Sequence, residues 1–176
     1  IATFHDYKID SPHLLGLYIS KGFLYYTINN VDMALYWYNQ AKDKYLAEDE
    51  KSLQYGMLLS NLAMCQMVKE NYPLAKQLSD EAYEICTQFY GDNSNNANDR
   101  LLILNNLATI YTKLKEFSKG KELYKRVIEE ATSQQNTGTK ALALINLSEI
   151  YLLNENDLPK AEEYLREAMK MEAASY

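Results

Sequence analysis

Three asparagines recur at one register position along the chain, and they are the side chains best suited to contact another polypeptide. Asn61, Asn106 and Asn146 each stand two residues before an alanine or a serine. A carboxamide carries donors and an acceptor, so it can pair with a peptide backbone without reading side chains. The alternative is that each asparagine bonds to a neighbouring helix of the same protein.

Residue types that serve catalysis or metal binding are sparse. The two histidines, His5 and His13, stand near Asp6 and Asp10 at the N-terminal edge, where ligand geometry would be poorly fixed. The sequence contains no P-loop, no G-x-S-x-G and no H-E-x-x-H motif. Adjacent glutamates such as Glu129 diverge from their neighbours around a helix and form no acid–base pair. We therefore expect no catalytic residue, no metal site and no cofactor, and we do not expect an enzyme.

The cysteines and the net charge limit which cellular compartment and which class of partner we expect. Cys65 and Cys86 lack C-x-x-C spacing and fall in apolar helical patterns, which predicts buried free thiols. Free thiols favour a reducing compartment, the cytoplasm first and an organelle as the alternative. The net charge of −6 argues against nucleic acid as the main partner, because phosphate binding needs a concentrated basic face. No apolar run approaches the ~20 residues of a membrane-spanning helix, so no span is expected.

One helix-pair pattern is written four times. Ala34, Ala75, Gly120 and Ala161 stand 41, 45 and 41 residues apart. Strand-like alternation is missing, so the helices are expected to be the only regular elements. Self-similarity at this period predicts stacked helix pairs that bury their faces against their neighbours. A second small residue lies upstream in each unit, at Gly22, Ala63, Ala108 and Ser148.

Breaks in the periodicity predict the organisation of the chain. We expect residues 1–10 to be a linker or the end of a preceding helix, and residues 11–176 to be the repeat array. Ser11 followed by Pro12 predicts the start of the first helix. The polar stretch 91–98 predicts a loop. The four repeats are expected at about 12–47, 50–90, 98–134 and 139–172.

The wording of the third repeat resembles the tetratricopeptide repeat. Residues 104–111 read LNNLATIY, and Glu116-Phe117 and the segment 123–127, LYKRV, follow at the expected distance. The long period is similar to the variety found in kinesin light chains, and the resemblance covers about residues 13–172. It implies an all-α, right-handed superhelical solenoid of about four helix pairs.

The resemblance also implies where a ligand would bind. With the upstream small residue at zero and about 100° per residue, five positions share one arc of the first helix of each pair. In similar proteins this arc lines the concave groove that holds peptides. For the apolar members on the first two repeats, the alternative is contact with another helix of a longer parent chain. The predicted groove residues are Phe23, Tyr26, Asn61, Met64, Met67, Asn105, Asn106, Thr109, Lys113 and Asn146, with Ile145 and Leu152 on the same arc of the fourth repeat.

These observations predict a protein–protein interaction module, a scaffold or adaptor that binds a peptide segment of a partner. Lys113 is the one cation in the predicted groove, so a clamp for two carboxylates is not expected. The alternatives are a regulatory sensor of free peptides, and a structural subunit or assembly factor of a larger complex, organellar ones included.

The last helix carries an apolar stripe, for which we expect a cover: a missing helix, a partner or a second copy. The stripe comprises Leu158, Ala161, Leu165, Ala168 and Met169.

Overall fold

The computed structural model of the chain describes residues 13–48, 52–88 and 97–173. Within these ranges the regular structure consists of eight helices, with no strand, which confirms the predicted all-α fold of repeated helix pairs. Residues 1–10 and most of the predicted loop 91–98 lie outside the described residues. The helices are α1 (His13–Thr27), α2 (Val31–Glu48), α3 (Leu53–Val68), α4 (Tyr72–Gln88), α5 (Ala97–Lys113), α6 (Phe117–Ser133), α7 (Thr137–Leu153) and α8 (Leu158–Ala173).

The chain divides into two compact units, residues 1–51 and residues 52–176. The assignment of residues 11–176 to a single array therefore stays a prediction. In the first unit α1 packs against α2. A Cβ at Gly22 would lie 2.5 Å from Cε1 of the buried Tyr38 ring. Glycine is thus the residue that lets the two helices close over a large aromatic side chain.

The second unit holds three helix pairs in two layers. We call α3, α5 and α7 the first helices, and α4, α6 and α8 the second helices. Each first helix packs against its own second helix, α3 packs against α5, and α5 against α7. The second helices α4 and α6 also pack against the next first helix. The small residues that predicted these crossings are buried in this unit, and so are Ala82 and Ala168; the predicted ones are Ala63, Ala75, Ala108, Gly120, Ser148 and Ala161.

Residues in the left-handed region close the tight turns between helices. At the turn from α5 to α6, Lys115 has φ 64°, and its N–H donates to the Thr112 carbonyl at 3.0 Å. The next N–H, of Glu116, donates to the Tyr111 carbonyl at 2.8 Å. This pair of bonds satisfies the last carbonyls of α5 and fixes the direction in which α6 begins. The same backbone conformation occurs at Asn29, Glu70, Gln135 and Asn156.

Gly120 departs from the alanine of the other repeats for a reason that the packing shows. A Cβ there would lie 2.5 Å from Oγ1 of Thr112 and 3.3 Å from the Ala108 carbonyl oxygen. Thr112 Oγ1 is itself fixed, because it donates to that same carbonyl at 2.8 Å. The glycine on α6 and the threonine on α5 are therefore a matched pair.

A charged cluster joins α4 to α5 and α6. The buried Tyr111 hydroxyl donates to Asp80 Oδ1 at 2.5 Å, and Lys119 Nζ donates to the same oxygen at 3.1 Å. Lys119 Nζ also lies 3.9 Å from the centre of the Tyr111 ring. Burial alone would raise the pKa of Asp80, but the hydrogen bonds from Tyr111 and Lys119 and the charges of Lys119 and Lys76 outweigh it, so this pKa is lowered. Asp80 is therefore an acceptor that stays ionised in the folded protein.

A second ionic cluster fastens the start of α5 to the end of α6. Arg100 Nη2 lies 3.0 Å from Glu130 Oε2, and Arg126 Nε lies 3.2 Å from the other carboxylate oxygen. The Arg100 and Glu130 side chains are nearly buried. Removing one member of such a group leaves the opposite charge buried without a partner, which costs free energy. The cluster therefore holds α5 and α6 in one register.

The described helices contain none that is long and apolar enough to cross a membrane.

Candidate functional site

The side-by-side first helices α3, α5 and α7 bring the three register-equivalent asparagines onto one surface of the second unit. Asn61, Asn106 and Asn146 are each half-buried, so their carboxamides are neither sealed in the core nor fully surrounded by water. Each stands two positions before a buried small residue, so the three occupy the same register position on their helices. We call this set the asparagine row.

The rest of the arc is less open than the sequence indicated at two predicted groove positions. Asn105 is only 5% exposed, and its Oδ1 has no hydrogen-bond partner among the described residues. Met67 is buried as well, whereas Met64 is half-buried and Lys113 is exposed. The helical period places all four on one arc, but neighbouring helices cover the edge of the arc on which Asn105 and Met67 lie.

Thr109 is tied to the protein's own polar network. Its Oγ1 donates to the Asn105 carbonyl at 3.0 Å and lies 2.9 Å from the hydroxyl oxygen of Tyr124. Tyr124 lies on α6 and is buried, and its hydroxyl contacts Thr109 on α5. Burial raises the pKa of Tyr124, while hydrogen bonding to Thr109, Thr112 and Asn146 opposes the shift. The Tyr124 phenol therefore stays neutral, and its hydroxyl links α6 to α5.

Among the described residues, the Tyr124 hydroxyl interacts with the Asn146 carboxamide. A carboxamide has two donor hydrogens and an acceptor oxygen with two lone pairs, so one internal bond leaves capacity for a ligand. The structural role that the sequence left open for the asparagines is thus present at Asn146, and it fixes the orientation of that side chain.

A second row of the surface was missed by the sequence reasoning. Met57, Leu102 and Leu142 stand six positions before the small residues, at about 120° on the helical projection and inside the same arc. Leu102 and Leu142 are each 46% exposed, and Met57 is half-buried. The signal was available, since the projection that gave the asparagine row also contains this position. We call these three residues the apolar row.

The fourth repeat extends the apolar character of the surface. Ile145 and Leu152 on α7 are exposed, as expected from the arc, and they lie on the opposite edge of the arc from the half-buried Asn146. Large apolar side chains left exposed together mark interaction surfaces more often than isolated ones do.

Phe23 and Tyr26 belong to the first unit. Phe23 is 54% exposed on α1, and Tyr26 is half-buried one turn further along. Their place in a groove stays a prediction.

Groups with catalytic or ligating chemistry are inert or dispersed in the part of the chain that the structure describes. Burial raises the pKa of both Cys65 and Cys86 to about 12, so these free thiols stay protonated. This confirms the expected buried thiols. No cluster of three or more histidine, cysteine, aspartate or glutamate side chains is placed to hold a metal ion among the described residues. His5, Asp6 and Asp10 fall outside those residues.

Part of the chain matches a known family of repeats. Residues 99–172 match the family model of the tetratricopeptide repeat. No curated protein matches the chain.

Solved structures with kinesin-light-chain-like repeats share the fold. BtubC (BKLC) from P. vanneervenii superposes with a TM-score of 0.78 at 22% identity, covering 97% of this chain and 68% of its own. A kinesin-light-chain-like protein of Podosopora anserina with nearly identical TPR-like repeats gives 0.76 at 16% identity, covering 96% and 79%. A single-substitution variant of the latter gives 0.74 at 16% identity, covering 93% and 78%. At these identities the likeness concerns the fold.

Proposed function

Since residues 99–172 are tetratricopeptide repeats, a fold that generally mediates protein–protein interaction, we propose that this chain binds a peptide segment of a protein partner across α3, α5 and α7. Proteins of this family are typically non-enzymatic scaffolds. The proposed site is the surface formed by the asparagine row and the apolar row. The observation that carries the proposal is the recurrence of a half-buried asparagine at one register position on three adjacent helices.

The asparagine row supplies contacts to the ligand backbone. Adjacent packed helices lie roughly 8–10 Å apart, which equals about three residues of extended chain at roughly 3.3 Å each. Asn61, Asn106 and Asn146 would therefore meet the ligand backbone about once every three residues. Carboxamides can both donate to a carbonyl and accept from an N–H, so the row selects an extended backbone of varied sequence.

The apolar row supplies burial for ligand side chains. Leu102 and Leu142 leave nearly half their surface in water in the free protein, and covering apolar surface stabilises a complex by roughly 25 cal/mol per Å². Met57 extends the row with a side chain that adapts to varied shapes. The preferred ligand segment accordingly carries apolar side chains on the face that meets this row.

Charge on the surface favours a ligand with little net charge. The exposed charges on the arc are Lys113 on α5 and Glu149 on α7, one of each sign. A strongly acidic or strongly basic segment would meet an unfavourable partner at one of these positions.

The test is selection of peptide ligands followed by measured affinities. A library of short unstructured peptides displayed on phage is selected against the chain, and one enriched peptide is titrated calorimetrically. Asn106→Ala is expected to weaken its binding by about 2–10-fold, because each lost hydrogen bond contributes about 0.5–1.5 kcal/mol. Leu102→Ser is expected to weaken it as well.

Matched controls lie on the second helices. Gln77→Ala on α4 and Glu129→Ala on α6 alter exposed polar side chains off the proposed surface and are expected to leave the affinity unchanged. A selected peptide that loses affinity with these two variants, and keeps it with Asn61, Asn106 and Asn146 all changed to alanine, would contradict the proposal.

A further inference from the structure

The buried phenol of Tyr124 connects two of the helices that form the proposed peptide surface. Its hydroxyl oxygen lies 2.9 Å from Thr109 Oγ1 on α5 and interacts with the Asn146 carboxamide on α7. At the same register position α4 carries Ser79, whose hydroxyl donates to a carbonyl of its own helix at 2.8 Å. The phenol is thus particular to α6, and α4 offers Asn106 no phenol in the corresponding position.

The hydrogens available around the Tyr124 hydroxyl determine which group donates to which. A threonine hydroxyl has a single hydrogen. Thr109 donates its hydrogen to the Asn105 carbonyl at 3.0 Å. Thr112, which also interacts with the phenol, donates its hydrogen to the Ala108 carbonyl at 2.8 Å. Both threonine oxygens can therefore only accept from Tyr124, so the single hydrogen of the phenol is directed to them.

The Tyr124 oxygen is consequently left as an acceptor for Asn146. With the phenol hydrogen directed to a threonine, the carboxamide can bond to that oxygen only by donating from Nδ2. The Asn146 Nδ2 is then turned into the protein, and Oδ1, on the other arm of the planar amide, points away from the phenol. The carboxamides of Asn61 and Asn106 have no such constraint, because the structure gives them no partner among the described residues.

We propose that Tyr124 is a positioning residue, which holds Asn146 with its carbonyl oxygen towards the ligand, so that the ligand must offer an N–H where it crosses α7. This inference rests on the proposed binding of a peptide across α3, α5 and α7 and adds a constraint to it. Tyr124 itself touches no ligand, since it is 2% exposed. Its hydroxyl acts through the orientation of the Asn146 amide.

The orientation of this one amide limits which ligand residues are accepted. Proline has no backbone N–H, so proline is excluded from the ligand position that meets Asn146. At the positions that meet Asn61 and Asn106, a ligand carbonyl can still accept from the asparagine Nδ2, so proline is tolerated there.

Nuclear magnetic resonance of the free chain tests the positioning without any ligand. Tyr124→Phe removes the phenol hydroxyl and is expected to shift the side-chain amide resonances of Asn146, while those of Asn61 stay unchanged. Tyr111→Phe is the matched control, because it also removes a buried phenol hydroxyl, one that bonds to Asp80 instead. It is expected to leave the Asn146 amide unmoved. Circular dichroism checks that both variants retain their helices. Unmoved Asn146 resonances in Tyr124→Phe would overturn the proposal.

Affinities for a selected peptide test whether the positioning acts on the ligand. Tyr124→Phe is expected to weaken binding about 2–10-fold, as the loss of one hydrogen bond does, and to weaken it no further in the Asn146→Ala background. A methyl group on the ligand nitrogen that meets Asn146 is expected to cost about tenfold with the wild-type chain and nothing with Asn146→Ala. Tyr111→Phe is expected to leave the affinity unchanged.

The outcomes distinguish this inference from the proposed function. Weaker binding with Asn106→Ala but not with Tyr124→Phe would overturn the positioning role and leave peptide binding across the first helices intact. An effect of Tyr124→Phe that persists undiminished in Asn146→Ala would overturn it too, because the hydroxyl would then act by another route. Affinity that survives alanine at Asn61, Asn106 and Asn146 together would overturn both.

Discussion

At the scale of single residues, the Asp80 carboxylate links the second helix pair to the third. Its Oδ1 accepts from the Tyr111 hydroxyl and from Lys119 Nζ, so three helices meet at one carboxylate. The lowered pKa means that the folded protein binds a proton there less readily than the unfolded chain. Its contribution to stability is therefore complete above the ordinary pKa of 3.8 and is lost as the pH falls through the lower folded value.

Asp80→Asn is expected to lower the free energy of unfolding by about 0.5–1 kcal/mol at pH 7, a modest cost because the carboxylate is partly exposed. The difference from the wild type is expected to shrink as the pH falls below 3.8 and to vanish once both forms are neutral. Urea unfolding at a series of pH values measures this. Glu84→Gln, on an exposed position of the same helix, is the control and is expected to change little. A difference that grows towards low pH would contradict this account of Asp80.

The single-residue scale also shows the limit of a helical projection. Asn105 and Asn106 are adjacent and both fall within the arc, yet one is buried and the other half-buried. A helical projection gives the direction of a side chain but not its distance to the neighbouring helix, and that distance decides burial. Met57, Leu102 and Leu142 were not predicted for a different reason. The five positions used to define the arc do not include the position six before the small residue, which lies within the same arc one turn nearer the helix start.

At the scale of helices, the pairing follows directly from the spacing of small residues. The predicted crossings at Ala75, Ala108 and Ala161 are buried contacts, because a small side chain lets two helix axes approach closely. Local sequence could not explain why Gly120 replaces alanine, since the cause is Thr112 on another helix. Likewise, the Arg100–Glu130 cluster joins residues 30 apart that no periodic pattern connects.

The effect of Gly120→Ala on the free energy of unfolding is expected to depend on whether Thr112 is present. Alanine in a helix interior is favoured over glycine by about 1 kcal/mol, but overpacking costs about 1–3 kcal/mol. Because the new Cβ would lie 2.5 Å from Thr112 Oγ1, Gly120→Ala is expected to lower the free energy of unfolding by about 1 kcal/mol.

The background in which the change is made decides the outcome. With Thr112→Ala the obstructing oxygen is gone, and Gly120→Ala is then expected to be neutral or stabilising. With Thr112→Ser the hydroxyl remains, and the penalty is expected to persist. Denaturant unfolding of the six proteins, with and without Gly120→Ala in each of the three backgrounds, measures the coupling. Equal effects of Gly120→Ala in the wild-type and Thr112→Ala backgrounds would show that the contact does not determine the glycine.

At the scale of the whole molecule, the fold and the function follow from the sequence to different depths. Many residues take part in the repetition at a fixed register, so the all-α repeat fold can be predicted from the sequence. The structures that share this fold are only 16–22% identical to the chain. A partner is recognised by a few side chains whose exposure depends on packing. A fold of this kind generally mediates protein–protein interaction, and under the proposal above the choice of ligand depends on the asparagine and apolar rows.

If a peptide binds across the first helices α3, α5 and α7 as proposed, its contacts fall on the asparagine row and the apolar row. The most direct measurement is nuclear magnetic resonance of the labelled chain during titration with a selected peptide, following the side-chain amides of the asparagines and the methyl groups of leucine and methionine. The largest shifts are expected at Asn61, Asn106 and Asn146 and at the methyls of Met57, Leu102 and Leu142. Shifts confined to the exposed faces of α4, α6 and α8, with the asparagine amides unmoved, would contradict it.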